Sequence, residues 1–134
     1  MALPSPTPSR AKASPAPRPV PAAVLTKAVL RASSLLGLSN ALLARVLGVS
    51  EASISRLGAG ARFISPSTKE GELALLLVRT YRSLDALVGT DAAMRRAWLG
   101  GFNRALNAKP IELIERAEGL VAVASYLDAM RAPS

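Results

Sequence analysis

From Val24 onward, apolar residues recur every three or four positions almost without interruption, which is the spacing of helices with one buried face. Alanine and leucine dominate these segments, and runs of β-branched residues are too short to indicate strands. The pattern therefore predicts an all-α chain of about seven helices without a sheet.

Glycines and capping residues predict where the first helices begin and end. The first helix is predicted to run from Val24 to Leu36 and to stop at Gly37, a residue suited to a left-handed C-cap. Ser39 or Asn40 then caps a second, short helix.

A long fourth helix is predicted after Ser67, because Ser67 and Glu70 have the spacing of a capping box, and it continues to Gly89. Its inward stripe consists of Leu73, Leu76, Leu77, Thr80, Leu84, Leu87 and Val88. Since a single small helical body does not necessarily cover an apolar face of this length, it raises the hypothesis that two copies of the chain pair through this helix or beside it as a homodimer.

Three further features predict helices in the last third of the chain. Thr90 is predicted to cap a helix running from Asp91 to about Phe102, and Pro110 stands where a first helical position tolerates proline. A last helix is predicted to follow Gly119, with an inward stripe made of Leu120, Val123, Leu127 and Met130.

Residues 38–57 hold two short helical patterns that meet at Gly48, which is the arrangement of a helix-turn-helix. Gly48 allows the positive φ of the tight turn, and Ala44 is small where the two helices approach closely. The space between them is filled by Leu43, Leu47, Val49, Ile54 and Leu57. Such a motif commonly reads DNA, although two short helices around a glycine also occur in plain helical bundles.

The outward face of the second short helix is the candidate DNA-binding surface. Ser50 is predicted to cap this helix by accepting the backbone N–H three residues on, so the helix starts at Glu51. The candidate DNA-contacting residues are Ser50, Glu51, Ala52, Ser53, Ser55 and Arg56. Arg56 is the best candidate for a guanine or phosphate contact. Glu51 either accepts a hydrogen bond from cytosine or repels the DNA backbone, so few base-specific contacts are predicted.

Composition narrows the classes of function. The 134 residues, half of them hydrophobic, allow one domain of ordinary size or one domain plus a tail. The absence of cysteine and histidine removes disulfides, thiolate nucleophiles, the usual zinc ligands and the commonest general base. No paired-carboxylate or Ser-Lys spacing stands out, so the sequence predicts neither an enzyme nor a cofactor or metal site.

Most of the net charge of +8 lies in the first half of the chain. Residues 1–22 hold seven of the ten prolines, three basic residues and no acid, which predicts a disordered basic arm. Residues 24–68 carry five basic residues and one acid, whereas residues 69–134 carry nine basic and eight acidic residues. The positive charge thus surrounds the helix-turn-helix candidate, as expected for a polyanion partner. No apolar run reaches the length of a signal core or a membrane span, so a soluble cytoplasmic protein without a membrane partner is expected.

A series of motifs extends from the tryptophan to the last helix. It comprises Arg96-Ala-Trp98-Leu99, Phe102-Asn103, Leu106-Asn107, Pro110-Ile111-Glu112-Leu113-Ile114, Gly119 and Val123-Ala-Ser-Tyr126-Leu127-Asp128. Together these motifs resemble the toxin-binding domain shared by the Xre, MbcA and ParS antitoxins. With the preceding helix-turn-helix, the resemblance covers residues 24–131. The chain departs from the pattern at Phe102, where proline is frequent, and at Ala108, where glycine is frequent.

The resemblance implies an N-terminal Xre-like helix-turn-helix bundle followed by a small helical toxin-binding domain. Antitoxins of this kind bind RES-domain toxins, which consume NAD, and neutralise them by covering the active-site entrance; they also commonly bind their own promoter. A stand-alone helix-turn-helix repressor without a toxin is the alternative function.

The exposed side of the last helix and the free end after it are the predicted toxin-binding surface. Its residues are Ser125, Tyr126, Asp128, Ala129, Arg131, Ala132, Pro133 and Ser134. Tyrosine and arginine are favoured interface anchors. The alternative is that Tyr126 packs on the core and that Arg131 only offsets the helix dipole.

The predicted organisation has four segments: a disordered arm over 1–22, a helix-turn-helix domain over 23–66, a connecting and dimerisation helix over 67–89, and a toxin-binding domain over 90–134. The expected partners are a cognate RES-domain toxin, operator DNA and a second copy of the chain.

Overall fold

The computed structural model describes residues 20–132, and this part of the chain folds into seven α-helices without a strand. They are α1 (Ala22–Leu35), α2 (Asn40–Leu47), α3 (Glu51–Gly58), α4 (Lys69–Val88), α5 (Ala92–Gly100), α6 (Pro110–Leu113) and α7 (Ala117–Arg131). The all-α prediction is confirmed. The predicted arm lies outside the described residues except for positions 20–22, and so do Pro133 and Ser134 of the predicted toxin-binding surface.

Helix α4 is the central element, because its most extensive contacts are with α7 and with α1. Its residues Ala74, Leu77 and Leu84 are fully buried. Helices α1 and α7 thus cover the buried part of this apolar face within one chain, and the pairing of two copies through or beside α4 stays a prediction. Leu87, predicted to point inward, is instead exposed.

Helices α2 and α3 form the predicted helix-turn-helix around Gly48, whose φ is +71°. Ser39 caps α2 by accepting the N–H of Leu42, and Ser50 caps α3 by accepting the N–H of Ser53. Leu43, Ala44, Leu47, Ile54 and Leu57 are all buried between or beneath the two helices. Local capping and turn chemistry therefore fix this motif as the sequence predicts.

The start of α4 differs from the predicted capping box. Thr68, not Ser67, is the N-cap: its hydroxyl accepts the N–H of Gly71 and donates to the Ser65 carbonyl at 2.7 Å. Glu70 does not return to the cap but pairs with Arg62 at 2.7 Å. The chain before α4 is therefore held by the Thr68 hydroxyl and by this ion pair.

The ends of α5 and α7 also differ from prediction. Asp91 caps α5 in place of Thr90 by accepting the N–H of Ala93, and α5 ends at Gly100, before Phe102. Helix α7 begins at Ala117, so Gly119 lies inside its first turn. Met130, predicted in the inward stripe, is 53% exposed.

Arg95 joins three segments of the fold and is only 3% exposed. Its Nε donates to the Leu35 carbonyl at the end of α1 at 3.2 Å, and its Nη1 donates to Asp85 at 3.1 Å and to the Gly89 carbonyl at 3.4 Å. Its guanidinium also lies 5.7 Å from the centroid of the Tyr81 ring. One buried cation thus holds α5 against both α1 and the end of α4.

A second polar contact joins the helix-turn-helix to the C-terminal part of the chain. Arg45 of α2 pairs with Glu115, which lies between α6 and α7, with 2.5 Å between Nε and Oε1.

Among residues 20–132, no helix is both long and apolar enough to cross a membrane.

Candidate functional site

The exposed side of α3 presents most of the predicted DNA-contacting residues. Ser50, Glu51, Ala52, Ser55 and Arg56 are all exposed. A helix with a free outward face has the diameter that the DNA major groove admits. The geometry of α3 is thus compatible with groove binding.

Ser53 differs from the other five candidate DNA-contacting residues, and its burial argues against the prediction that it reaches DNA. It is only 6% exposed. Its Oγ accepts a hydrogen bond from the Ser50 hydroxyl and another from Arg56 Nη2, each at 3.1 Å. Ser53 therefore orders the start of α3 and orients Arg56.

The end of α7 presents the described part of the predicted toxin-binding surface. Ser125, Ala129, Arg131 and Ala132 are exposed. Arg131 also reaches back to α4, because its Nη1 donates to Ser83 Oγ at 3.0 Å. The end of α7 is thus both accessible and tied to the body of the fold.

Asp128 lies in the joint between α7 and α4. Its carboxylate accepts a hydrogen bond from the Ser83 hydroxyl at 2.8 Å and pairs with Arg79. The Ser83 hydroxyl first, and then Arg79 and Arg131, hold the pKa of Asp128 below its usual value against the opposing effect of desolvation. The carboxylate is therefore ionised at neutral pH and occupied by groups of its own chain.

Tyr126 is half-buried and stacks on Trp98 of α5, with 6.3 Å between the ring centroids and 24° between the ring planes. This contact agrees with the alternative in which Tyr126 packs within the domain. Trp98 is itself half-buried, so the pair lies at the edge of the core and not in its centre.

Sequence reasoning missed several side chains that shape this region. Met94, on the same side of α5 as Trp98, is 52% exposed. Arg79 and Ser83 were not predicted to hold Asp128, because their partner lies more than forty residues away along the chain. The signal for Met94 was present in its spacing of four from Trp98.

The described residues offer no cluster with obvious metal chemistry. Within residues 20–132, no three aspartate or glutamate side chains come together in a way that could hold a metal ion. The candidate surfaces at α3 and α7 are helix faces, which are suited to binding a macromolecule.

Two protein-family models match the chain. The model described as the antitoxin Xre-like helix-turn-helix domain matches residues 15–79. The model described as the antitoxin Xre/MbcA/ParS C-terminal toxin-binding domain matches residues 83–132. No curated protein matches the chain in sequence. The two matched ranges are separated by residues 80–82, which lie inside α4, and each of the other described helices falls within one of the two ranges.

Proposed function

We propose, since the chain belongs to the antitoxins that join an Xre-like helix-turn-helix domain to an Xre/MbcA/ParS C-terminal toxin-binding domain, that it neutralises a RES-domain, NAD-consuming toxin in the cytoplasm. Proteins of this family act by binding and are not enzymes. The match of residues 83–132 to a toxin-binding domain carries the proposal. The same match disfavours a stand-alone repressor without a toxin.

The end of α7 is proposed to cover the entrance of the toxin's active site. Ser125, Ala129, Arg131 and Ala132 are exposed at the end of α7, and the proposal keeps Pro133 and Ser134, which follow them in the sequence, as part of the covering segment. Asp128 contributes by holding α7 against α4, and Tyr126 does so through its stack on Trp98. Because these contacts already orient α7, less conformational entropy is lost on binding than for a free tail.

Ala129→Glu is expected to weaken toxin binding by about tenfold or more, because a charge would be buried against the toxin. Co-expression with the RES-type toxin of the neighbouring reading frame, followed by growth and NAD measurements, tests the consequence. The wild type is expected to restore growth and NAD, and Ala129→Glu is expected to restore them poorly.

The matched control is Ala117→Glu, because Ala117 is exposed at the first position of α7, about three turns before Ala129 and away from the side that carries Tyr126. It is expected to neutralise as the wild type does. A shorter α7 is a poorer test, since deleting residues 125–134 would also remove the fully buried Leu127. Equal neutralisation by both glutamate variants would count against the end of α7 as the covering segment.

The helix-turn-helix is proposed to bind operator DNA for autoregulation. The proposed contacts are Ser50, Glu51, Ala52, Ser55 and Arg56, all exposed, whereas Ser53 acts by orienting Arg56. Because one such helix offers few base contacts, two copies are proposed to bind half-sites about 34 Å apart. The four predicted segments remain part of this proposal, with α4 contacting both functional halves.

Arg56→Ala is expected to lower operator affinity by about tenfold and to reduce the slope of log K against log salt by about one if Arg56 binds phosphate. Fluorescence anisotropy with promoter DNA at several salt concentrations measures both, and its stoichiometry reports whether two chains bind each duplex. Toxin neutralisation is expected to be unchanged.

Arg104→Ala is the control for this measurement, because Arg104 is an exposed arginine outside the helix-turn-helix. It removes the same charge and is expected to leave operator affinity within about twofold. If the two variants bind the promoter equally at every salt concentration, α3 is not the reading helix.

A further inference from the structure

The C-terminal half has exposed apolar side chains that the proposed covering role of the end of α7 does not explain. Met94 of α5 and Met130 of α7 are 52% and 53% exposed. Their neighbours face the core: Arg95 and Leu99 are the buried positions of α5, and Leu127 is fully buried in α7. The two methionines therefore contribute little to the interior of this fold.

Each of the two methionines lies one helical turn from one of the two stacked rings. Met94 precedes Trp98 by four residues on α5, and Met130 follows Tyr126 by four residues on α7. Residues four apart lie on the same side of a helix. Since Trp98 and Tyr126 are in contact, each methionine lies on the side of its helix that carries one of the stacked rings. We call Met94, Trp98, Tyr126 and Met130 the methionine-aromatic patch.

The chemistry of this patch is that of a protein interface. Tryptophan, tyrosine and methionine are enriched in the buried centres of interfaces, and their rings supply much of the binding free energy. Methionine adapts its shape to an irregular partner surface. The rings are rigid because each is packed against the other, so binding costs them little entropy.

The location of the patch identifies its partner. All four residues lie within the range that matches the toxin-binding domain. Tyr126 and Met130 also stand on α7, between and beside the exposed Ser125, Ala129 and Arg131. The patch is therefore continuous with the surface already proposed to cover the toxin's active-site entrance.

We infer that the methionine-aromatic patch is a second toxin contact, which receives an apolar surface of the toxin beside its active-site entrance while the end of α7 covers the entrance itself. This inference rests on the proposed function, because it assigns the occupant of the patch to the same toxin. The patch supplies apolar contact area, and the end of α7 supplies inhibition.

The test uses the full chain and the purified RES-type toxin of the neighbouring reading frame, in a catalytically inactive form. Met94→Asp and Met130→Asp are each expected to weaken toxin binding by about tenfold or more, mainly through faster dissociation. Met94→Leu is expected to bind as the wild type does, because it preserves an apolar side chain of similar volume.

The matched controls are Val24→Asp and Phe63→Asp. These apolar side chains are 56% and 54% exposed, close to the two methionines, but lie outside the toxin-binding range. They are expected to bind the toxin within about twofold of the wild type. Unfolding curves for all variants exclude loss of fold as the cause of a loss of binding.

The outcomes separate this inference from the proposed function. If Ala129→Glu weakens binding and both methionine variants bind as the wild type, the patch is not a toxin contact although the proposed function stands. If Met94→Asp changes only the sedimentation of the free chain, the patch binds a second copy and the inference is also overturned. If the wild type does not bind the toxin, the proposed function itself fails.

Discussion

Replacing Arg95 by alanine is expected to lower the free energy of unfolding by about 3 kcal/mol. The change leaves Asp85 without its cation and deprives the Leu35 and Gly89 carbonyls of a donor. It also removes the cation above the Tyr81 ring. Because the Asp85 side chain is 32% exposed, water recovers part of the loss, which keeps the effect below that of a fully buried pair. Urea denaturation followed by circular dichroism measures it.

Two variants make this result specific to the geometry at Arg95. Arg95→Lys keeps the charge but not the planar fork, so it is expected to recover less than half of the lost stability. Arg104→Ala removes an exposed arginine and is expected to change stability by no more than about 0.5 kcal/mol. If Arg95→Ala unfolds at the same urea concentration as the wild type, the hydrogen bonds of Arg95 do not hold α5 to α1.

Gly119→Ala is expected to destabilise the protein by about 2 kcal/mol or more, although alanine is the better helix former. A Cβ at this position would lie 2.0 Å from the Leu113 carbonyl oxygen, so the first turn of α7 would have to move away from the end of α6. This close approach explains physically why a glycine stands in the motif at this point. Thermal unfolding measures the change.

Gly100→Ala provides the comparison, because Gly100 is also helical and an added Cβ there meets nothing within 4 Å. This variant is expected to be neutral or to gain up to about 1 kcal/mol from helix propensity. If Gly119→Ala and Gly100→Ala shift the melting temperature in the same direction, the packing argument is contradicted.

The features that were predictable from sequence are the ones that neighbouring residues determine. Gly37 and Gly48 adopt positive φ where the helical patterns stop, and Ser39 and Ser50 cap the helices that follow. The start of α4 was not predictable in this way. Thr68 was preferred over Ser67 because its hydroxyl also binds the Ser65 carbonyl, a contact that depends on the path of the preceding loop.

The candidate surfaces were predictable only where helical periodicity decides exposure. The outward face of α3 follows from periodicity, but Ser53 is removed from it by bonds to Ser50 and Arg56. Asp128 and Tyr126 are oriented by Ser83 and Trp98, which are remote in sequence. Spacing along one helix carries no information about such partners, and an arginine such as Arg95 would ordinarily be placed in solvent.

The sharing of α4 limits how such a protein can change during evolution. Helix α4 packs against both α1 and α7, so its buried residues belong to one core that the two halves share. A recombination event that exchanged only the residues after Gly89 would join an α7 to an α4 face that had not been selected to fit it. We therefore expect a change of toxin partner to arise by substitution on exposed positions, or by inheritance of α4 and α7 as one block.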